Sequence, residues 1–294
     1  MHRKRIALIG LTITLLTPAA AQAKWQQIQG PVLRPTLPWE GKSVQEPTVL
    51  WDRGKYRLWY SGGFWEQHIG YAESRDGIHW KKRSEPILRN AEHSSVVKTR
   101  RGYMIFSSRQ GALTQAFSPD GIKITSRFTI FRPKPGWTQI GFANTFAFRT
   151  KKGWRLMYEA LGPKPAPGVK ARLWRTAITR GGKPGRWTAA RGPMQLGHPN
   201  GMAGGPWRDG QCVYFHGTYA DVLPTKIYRR CGPSLSKLGP IRIVFGRQQP
   251  WQHDQVADPS IARAPGKRPL MLFSGVDNRA CCEGAAIGAA WLNR

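Results

Sequence analysis

The stretch AESRDGIHW, residues 72–80, decides the fold because a second version of it follows as AFSPDGIKI, residues 116–124. Both read A-x-S-x-D-G-I, a turn in which an Asp side chain bonds its own backbone, followed by an outer strand. A phrase that returns at such spacing indicates a repeating architecture.

Short runs rich in Val, Ile, Tyr, Phe and Trp, bounded by Gly, Pro and Asp, dominate the chain and predict strands. Stacking these runs gives five units, each opening with two strands joined by a polar turn. The first strands of the units are EPTVLW from Glu46, SSVVKT from Ser94, NTFAFR from Asn144, MAGGPW from Met202 and DPSIAR from Asp258.

The fourth strand of a unit has its own phrase, in which Trp80 stands six residues before Pro86. The same phrase precedes the first unit, where Trp25 stands six residues before Pro31, whereas the fifth unit ends after its third strand. The N-terminal segment is expected to supply the missing strand, which closes a ring and removes sheet edges. The sequence therefore predicts an all-β, five-bladed β-propeller with four antiparallel strands per blade. A β-sandwich does not explain the early phrase.

The N-terminal segment MHRKRIALIGLTITLLTPAAAQA has the basic start, short apolar run and small-residue end of a signal peptide. We predict cleavage after residue 23, a single domain over residues 24–294, and a secreted or periplasmic protein. Export permits disulfides. We predict a Cys212–Cys231 bridge across a hairpin and leave Cys281 and Cys282 open between a vicinal disulfide and two thiols.

The formal net charge is +30, of which only Arg3, Lys4 and Arg5 lie in the leader. The basic residues are spread along the chain, so a solvated basic surface is slightly favoured over an acidic partner such as an anionic glycan. No nucleic-acid-binding signature is present, and no specific nucleic acid is expected as a partner.

The phrases EPTVLWDRGKYRLWYSGG and HIGYAESRDGIHW resemble the blade signature of five-bladed propeller glycosidases. These are the arabinanase and β-xylosidase group (family 43-like) and the invertase and levanase group (family 32-like), with related mannoside phosphorylases. The resemblance spans nearly the whole predicted mature chain as architecture. It implies a site on the axis, at the start of the innermost strands, with carboxylates as base or nucleophile and as acid.

Few of the 16 acidic residues fit such a site, because several lie in glycine-containing turns. Glu46 and Asp258 each begin an inner strand and precede a proline. Glu159 ends the second strand of the third unit, where other units carry small residues. We predict Glu46, Glu159 and Asp258 as the catalytic set, with Asp258 or Glu46 as base and Glu159 as acid.

The chain departs from the family pattern, because His93 and Asn144 stand where acids are usual in the second and third blades. Either the chemistry is rearranged or the propeller binds sugar without cleaving it. The predicted substrate-binding residues are His93, Asn144, His198, Asn200, His253 and Trp65. Other aromatic residues considered as sugar platforms are Trp39, Phe64, Trp137, Trp207 and Trp251.

The sequence thus predicts an exported, monomeric carbohydrate-active protein, foremost a glycoside hydrolase acting on a poly- or oligosaccharide. The alternatives are a non-catalytic glycan-binding propeller of the cell envelope and, less favoured, a phosphorylase-like enzyme. No cofactor is predicted, and a structural Ca²⁺ on the axis is left as an alternative.

Overall fold

The computed structural model describes residues 24–63, 67–163, 174–198, 201–219, 223–277 and 284–293. The predicted leader lies outside the described residues, as do Trp65, Asn200, Cys281 and Cys282. Within the described ranges, no helix has the length and apolar character needed to cross a bilayer.

Short antiparallel sheets surround a central axis as five blades, and neighbouring inner strands contact one another around the ring. The chain begins with β1 (Lys24–Gln27). Blade one contains β2 (Val44–Asp52), β3 (Lys55–Gly62), β4 (His68–Ser74) and β5 (Lys81–Lys82). Blade two contains β6 (Glu92–Thr99), β7 (Gly102–Arg109), β8 (Ala112–Ser118) and β9 (Ser126–Phe131).

The remaining blades follow the same order from the axis outward. Blade three contains β10 (Gly141–Thr150), β11 (Gly153–Leu161) and β12 (Trp174–Ile178), beside a separate hairpin of β13 (Gly181–Lys183) and β14 (Arg186–Thr188). Blade four contains β15 (Ala203–Asp209), β16 (Cys212–Gly217), β17 (Lys226–Cys231) and β18 (Arg242–Phe245). Blade five contains β19 (Gln255–Ala262), β20 (Leu270–Asp277) and β21 (Gly284–Asn293).

The ring closes as predicted, because β1 pairs with β21 and gives blade five the order β1-β21-β20-β19. Trp25 lies opposite Leu292 in this pairing. The predicted disulfide is also confirmed: Cys212 and Cys231 lie directly opposite each other on β16 and β17 and are bonded.

The core is divided into clusters between adjacent blades. One cluster joins blades one and five through Val49, Leu58 and Leu272, all fully buried. Burying one such side chain contributes about 1.5–3 kcal/mol. Packing at these interfaces holds the blades together and fixes the positions of the inner strands at the axis.

Two 3₁₀ turns precede inner strands and place a tryptophan against the second strand of the same blade. Trp39 stacks on Tyr60 with 5.9 Å between ring centroids, and Trp251 stacks on Phe273 at 6.1 Å. The turns are Pro38–Glu40 in blade one and Pro250–Gln252 in blade five.

Glycines make room for these rings. A Cβ on Gly62 would lie 2.5 Å from Trp39, and one on Gly275 would lie 2.1 Å from Trp251. Trp137 also stacks on the second strand of its blade, against Tyr158 with 6.2 Å between ring centroids. One face of each ring is packed inside a blade, while Trp39, Trp137 and Trp251 all remain partly exposed, so their interpretation as sugar platforms stays a prediction.

Candidate active site on the propeller axis

Every inner strand carries a β-bulge near its N-terminal end. The bulge residues Glu46, His93 and Asp258 have left-handed φ angles of 56°, 56° and 52°. Such a conformation costs a non-glycine residue about 1–3 kcal/mol and tends to occur at functional sites. Bulges re-aim side chains, and those of Glu46, His93, Asn144 and Asp258 all line one axial cavity.

The backbone N–H groups of the bulge residues donate hydrogen bonds to the neighbouring blade. In four places among the described residues, a side chain near the end of a second strand accepts the N–H of the next blade's bulge residue, at 2.8–3.2 Å. The axial geometry and the closure of the ring therefore support each other. The pairs, acceptor first, are Ser61 with His93, Glu159 with Gly205, His216 with Asp258 and Ser274 with Glu46.

Glu159 thus occupies the position of Ser61, as the sequence predicted. In blades four and five this position belongs to His216 and Ser274, one residue before Gly217 and Gly275, the small residues that the sequence analysis had aligned with Ser61. Sequence reasoning missed His216 for this reason. Aligning the glycines of YSG, FHG and FSG would have found it.

Glu46 forms an ion pair with the imidazole of the next blade. His93 Nε2 lies 3.0 Å from Glu46 Oε1, and the His93 amide and the Ser61 hydroxyl both donate to Glu46 Oε2. Burial alone would lower the pKa of His93, but the charge and hydrogen bond of Glu46, with weaker help from Glu92 and Glu159, raise it to about 10. His93 is therefore an imidazolium at neutral pH.

Asp258 pairs with His216 of the preceding blade. His216 Nδ1 lies 3.2 Å from both the amide nitrogen and Oδ1 of Asp258. The neutral ring accepts from the amide, whereas the protonated ring donates to the carboxylate. Burial lowers the pKa of His216, but the hydrogen bond and charge of Asp258 outweigh burial and raise it. Burial raises the pKa of Asp258, yet His216 and Ser274 outweigh it, and the net direction is downward.

Glu159 lies in a different environment, since its side chain is almost fully buried at 2 % exposure. Burial raises its pKa, and the opposing effects of His216, the Gly205 N–H and His93 do not cancel the rise. Its carboxyl packs on Gly204, where a Cβ would lie 2.4 Å from Oε1. Glu159 is therefore the axial carboxyl most easily kept protonated.

Asn144 joins the two carboxylates that have opposite pKa shifts. Its Nδ2 lies 3.2 Å from Glu159 Oε2 and 3.0 Å from Asp258 Oδ1. The two oxygens are consequently within roughly 6 Å of each other, two hydrogen bonds apart. The cavity above them has a volume of about 200 Å³, and its wall also includes Leu223, Thr225 and Val276.

Two predicted contacts lie away from this cluster. His198 packs edge-on against Tyr219 with 4.6 Å between ring centroids and is not part of the cavity wall. His253 Nδ1 bonds Asp254 Oδ1 at 2.9 Å, and Asp277 brings a third ligand-type atom within 4.8 Å. The His–Asp hydrogen bond accounts for that contact without a metal ion.

The described axial residues do not offer the donor set that a Ca²⁺ ion prefers. Calcium takes six to eight oxygen ligands, whereas the described axial residues include two imidazoles with raised pKa values. Imidazolium His93 would repel a divalent cation. The carboxylate oxygens of Glu46 and Asp258 are instead bonded to imidazole, amide and hydroxyl donors.

Solved structures with this fold include several carbohydrate-active proteins. The chain is similar to a structure described as a glycoside hydrolase, with a TM-score of 0.72, 11% identity, and 91% and 92% of the two chains covered. The catalytic domain of the Coprinopsis cinerea GH62 α-L-arabinofuranosidase gives 0.64, with 11% identity and 92% and 97% covered. These similarities confirm the predicted five-bladed propeller fold.

A third similar structure, described in connection with GH130 mannoside phosphorylases and with hydrolases of β-1,2 mannosidic linkages in Candida mannan, gives a TM-score of 0.61 at 12% identity, with 94% and 95% covered. No protein-family model matches the chain. No curated protein matches it either.

Proposed function

We propose that the protein is an exported glycoside hydrolase whose reaction takes place in the axial cavity. The observation that carries the proposal is the pair Glu159 and Asp258, bridged by Asn144, with one pKa raised and the other lowered. Two carboxyl groups whose environments push their pKa values apart are suited to acid and base work on a glycosidic bond.

In this mechanism Glu159 donates its proton to the leaving glycosidic oxygen, and ionised Asp258 activates water or attacks the anomeric carbon. Asn144 orients both carboxyl groups, and His216 stabilises the charge on Asp258. Glu46 binds imidazolium His93 and is a positioning residue. The cavity volume of about 200 Å³ is below the range usual for whole drug-sized ligands, so it suits one sugar unit at a chain end or branch.

A non-catalytic glycan-binding propeller is the second candidate. It is favoured by His93 at the second-blade position and by the hydrogen bonds that engage both oxygens of Glu46. A phosphorylase draws support only from the similarity to the structure with the mannoside phosphorylase description.

Sugar release from a broad panel of poly- and oligosaccharides, measured with and without inorganic phosphate, separates the three. Phosphate-independent release that is lost in Glu159→Gln supports hydrolysis. Binding without release supports the second candidate, and strictly phosphate-dependent release supports the third.

A further inference from the structure

The face of the propeller opposite the axial cavity has a distinct character. The axial residues come from the N-terminal ends of the inner strands and the C-terminal ends of the second strands, so the turns that join these two strands emerge on the other side. In four blades these turns carry at least two cations. They are Arg53 and Lys55, Arg100 and Arg101, Lys151 and Lys152, and Lys267 and Arg268.

A wide apolar groove opens beside these turns, between blades two and three. Its volume is about 1210 Å³, roughly six times that of the axial cavity. Phe128 is 38% exposed there. Apolar side chains form most of the lining: Val97, Met104, Phe117, Phe128, Phe148 and Trp154.

The rim of this groove is cationic. Lys98, Arg100, Arg101 and Arg149 line it, and among the residues that the structure describes no acidic side chain does. Lys98 is bonded to Asp52, whereas the three arginines form no ion pair with any described side chain. An occupant of this groove must therefore combine apolar bulk with negative charge.

Inside its cationic rim, the groove has little with which to hold sugar hydroxyls. Gln115 is one of the few uncharged polar side chains in its lining, and its Oε1 already accepts from Trp187 Nε1 at 2.8 Å and the Gly185 amide at 3.2 Å. Hydroxyls buried here without partners would cost free energy. The chemistry therefore favours an acyl chain over a glycan.

We propose that this face docks on anionic lipid at a membrane surface, with an acyl chain in the groove and its head group against Arg100, Arg101 and Arg149. Cationic residues near an anionic bilayer add to the affinity, and apolar side chains inserted at the interface complete the binding. Docking in this way turns the axial cavity away from the membrane. The proposal does not depend on the activity of that cavity.

The test is co-sedimentation of the full chain with vesicles of phosphatidylcholine, alone or with about one third phosphatidylglycerol. Wild type should bind only the anionic vesicles and release them at high salt, because exposed charges are screened. Arg100→Gln with Arg101→Gln should weaken binding about thirty-fold. The matched control, Lys42→Gln with Arg109→Gln, neutralises two exposed cations outside this face and should change binding less than about threefold.

The groove itself is tested by Phe128→Asp, which should abolish most binding, and by Phe128→Leu, which should retain it. Acyl chains brominated along their length should quench tryptophan fluorescence, and Trp154→Phe should remove most of that quenching. Equal binding to neutral vesicles, equal loss in the control pair, or full binding by Phe128→Asp would each overturn the proposal. So would binding of single-stranded oligonucleotide in place of vesicles.

Discussion

Blades one and five share a local arrangement at the start of their inner strands. PWEGKSVQEP, residues 38–47, and PWQHDQVADP, residues 250–259, both place a tryptophan seven residues before an axial carboxylate. Glu46 takes its imidazole partner from the next blade, whereas Asp258 takes His216 from the preceding one. The same backbone frame therefore gives two carboxylates with different neighbours, and only Asp258 is joined through Asn144 to Glu159.

The largest expected difference between the two blades is catalytic. Asp258→Asn should lower turnover about 10²–10⁴-fold, since it removes the proposed base or nucleophile. Glu46→Gln should lower it only about tenfold, because Glu46 acts through His93. Steady-state sugar release checks this, with calorimetric glycan binding as the control for folding and affinity. A larger loss of turnover in Glu46→Gln than in Asp258→Asn would mean that Glu46 is the base or nucleophile and Asp258 the positioning residue.

The ring and its closure could be predicted from the sequence because strand phrases repeat, and because the phrase around Trp25 stands outside the first unit. Glu46 and Asp258 could be found by their shared position before proline. His216 was missed because the second strand of blade four was aligned one residue out of register. A single sequence does not show the strand pairing that would have corrected the alignment. The stacking of Trp39, Trp137 and Trp251 on the second strands was not predicted, because the same residue type serves sugar platforms and blade packing. The available signal was a tryptophan seven residues before Glu46, Asn144 and Asp258.

A second contrast lies in the buried residues that follow the two tryptophans. Glu40 is fully buried and accepts from Lys82 Nζ and Tyr60 Oη, both at 2.7 Å. Gln252, also fully buried, makes neutral hydrogen bonds, including one to Gln27 at 2.8 Å. Glu40→Ala should cost about 3–5 kcal/mol because it leaves the charge of Lys82 unpaired. Gln252→Ala should cost about 1–3 kcal/mol.

Urea denaturation of the two variants measures these costs. Glu40→Gln serves as the isosteric control and should fall between them, since it keeps acceptor capacity without the charge. Equal losses in Glu40→Ala and Gln252→Ala would show that the ion pair adds nothing beyond ordinary hydrogen bonding.

The stacked tryptophans should respond alike in both blades. Gly62→Ala and Gly275→Ala each force a Cβ against a tryptophan ring, at 2.5 and 2.1 Å. Each should lower the free energy of unfolding by about 1–3 kcal/mol, as overpacking does. Gly192→Ala is the matched control, because nothing lies within 4 Å of its Cβ position. A neutral Gly275→Ala would mean that Trp251 moves without cost and that the stack is not a fixed part of blade five.

The last expected contrast is a difference in how stability depends on pH, and it is read from a slope rather than from the loss of a contact. The pKa of His93 is raised to about 10 in the folded state, against about 6.5 for an unperturbed histidine. The folded state thus holds a proton that the unfolded state loses, so the stabilisation is complete below about pH 6.5 and is lost as pH rises toward 10. His216 acts in the same direction.

Replacing Glu46 by Gln removes the charge that holds the His93 proton. Between pH 7 and 9, the free energy of unfolding of Glu46→Gln should change less with pH than that of wild type. The two slopes should differ by at most about 1.4 kcal/mol per pH unit. Asp258→Asn should flatten the curve through His216 instead, and the double variant should combine both effects. Lysine and tyrosine titrations are common to all four proteins and cancel in the comparison. Parallel curves for wild type and Glu46→Gln, measured by denaturant unfolding, would mean that the Glu46–His93 contact does not set the protonation of the axis.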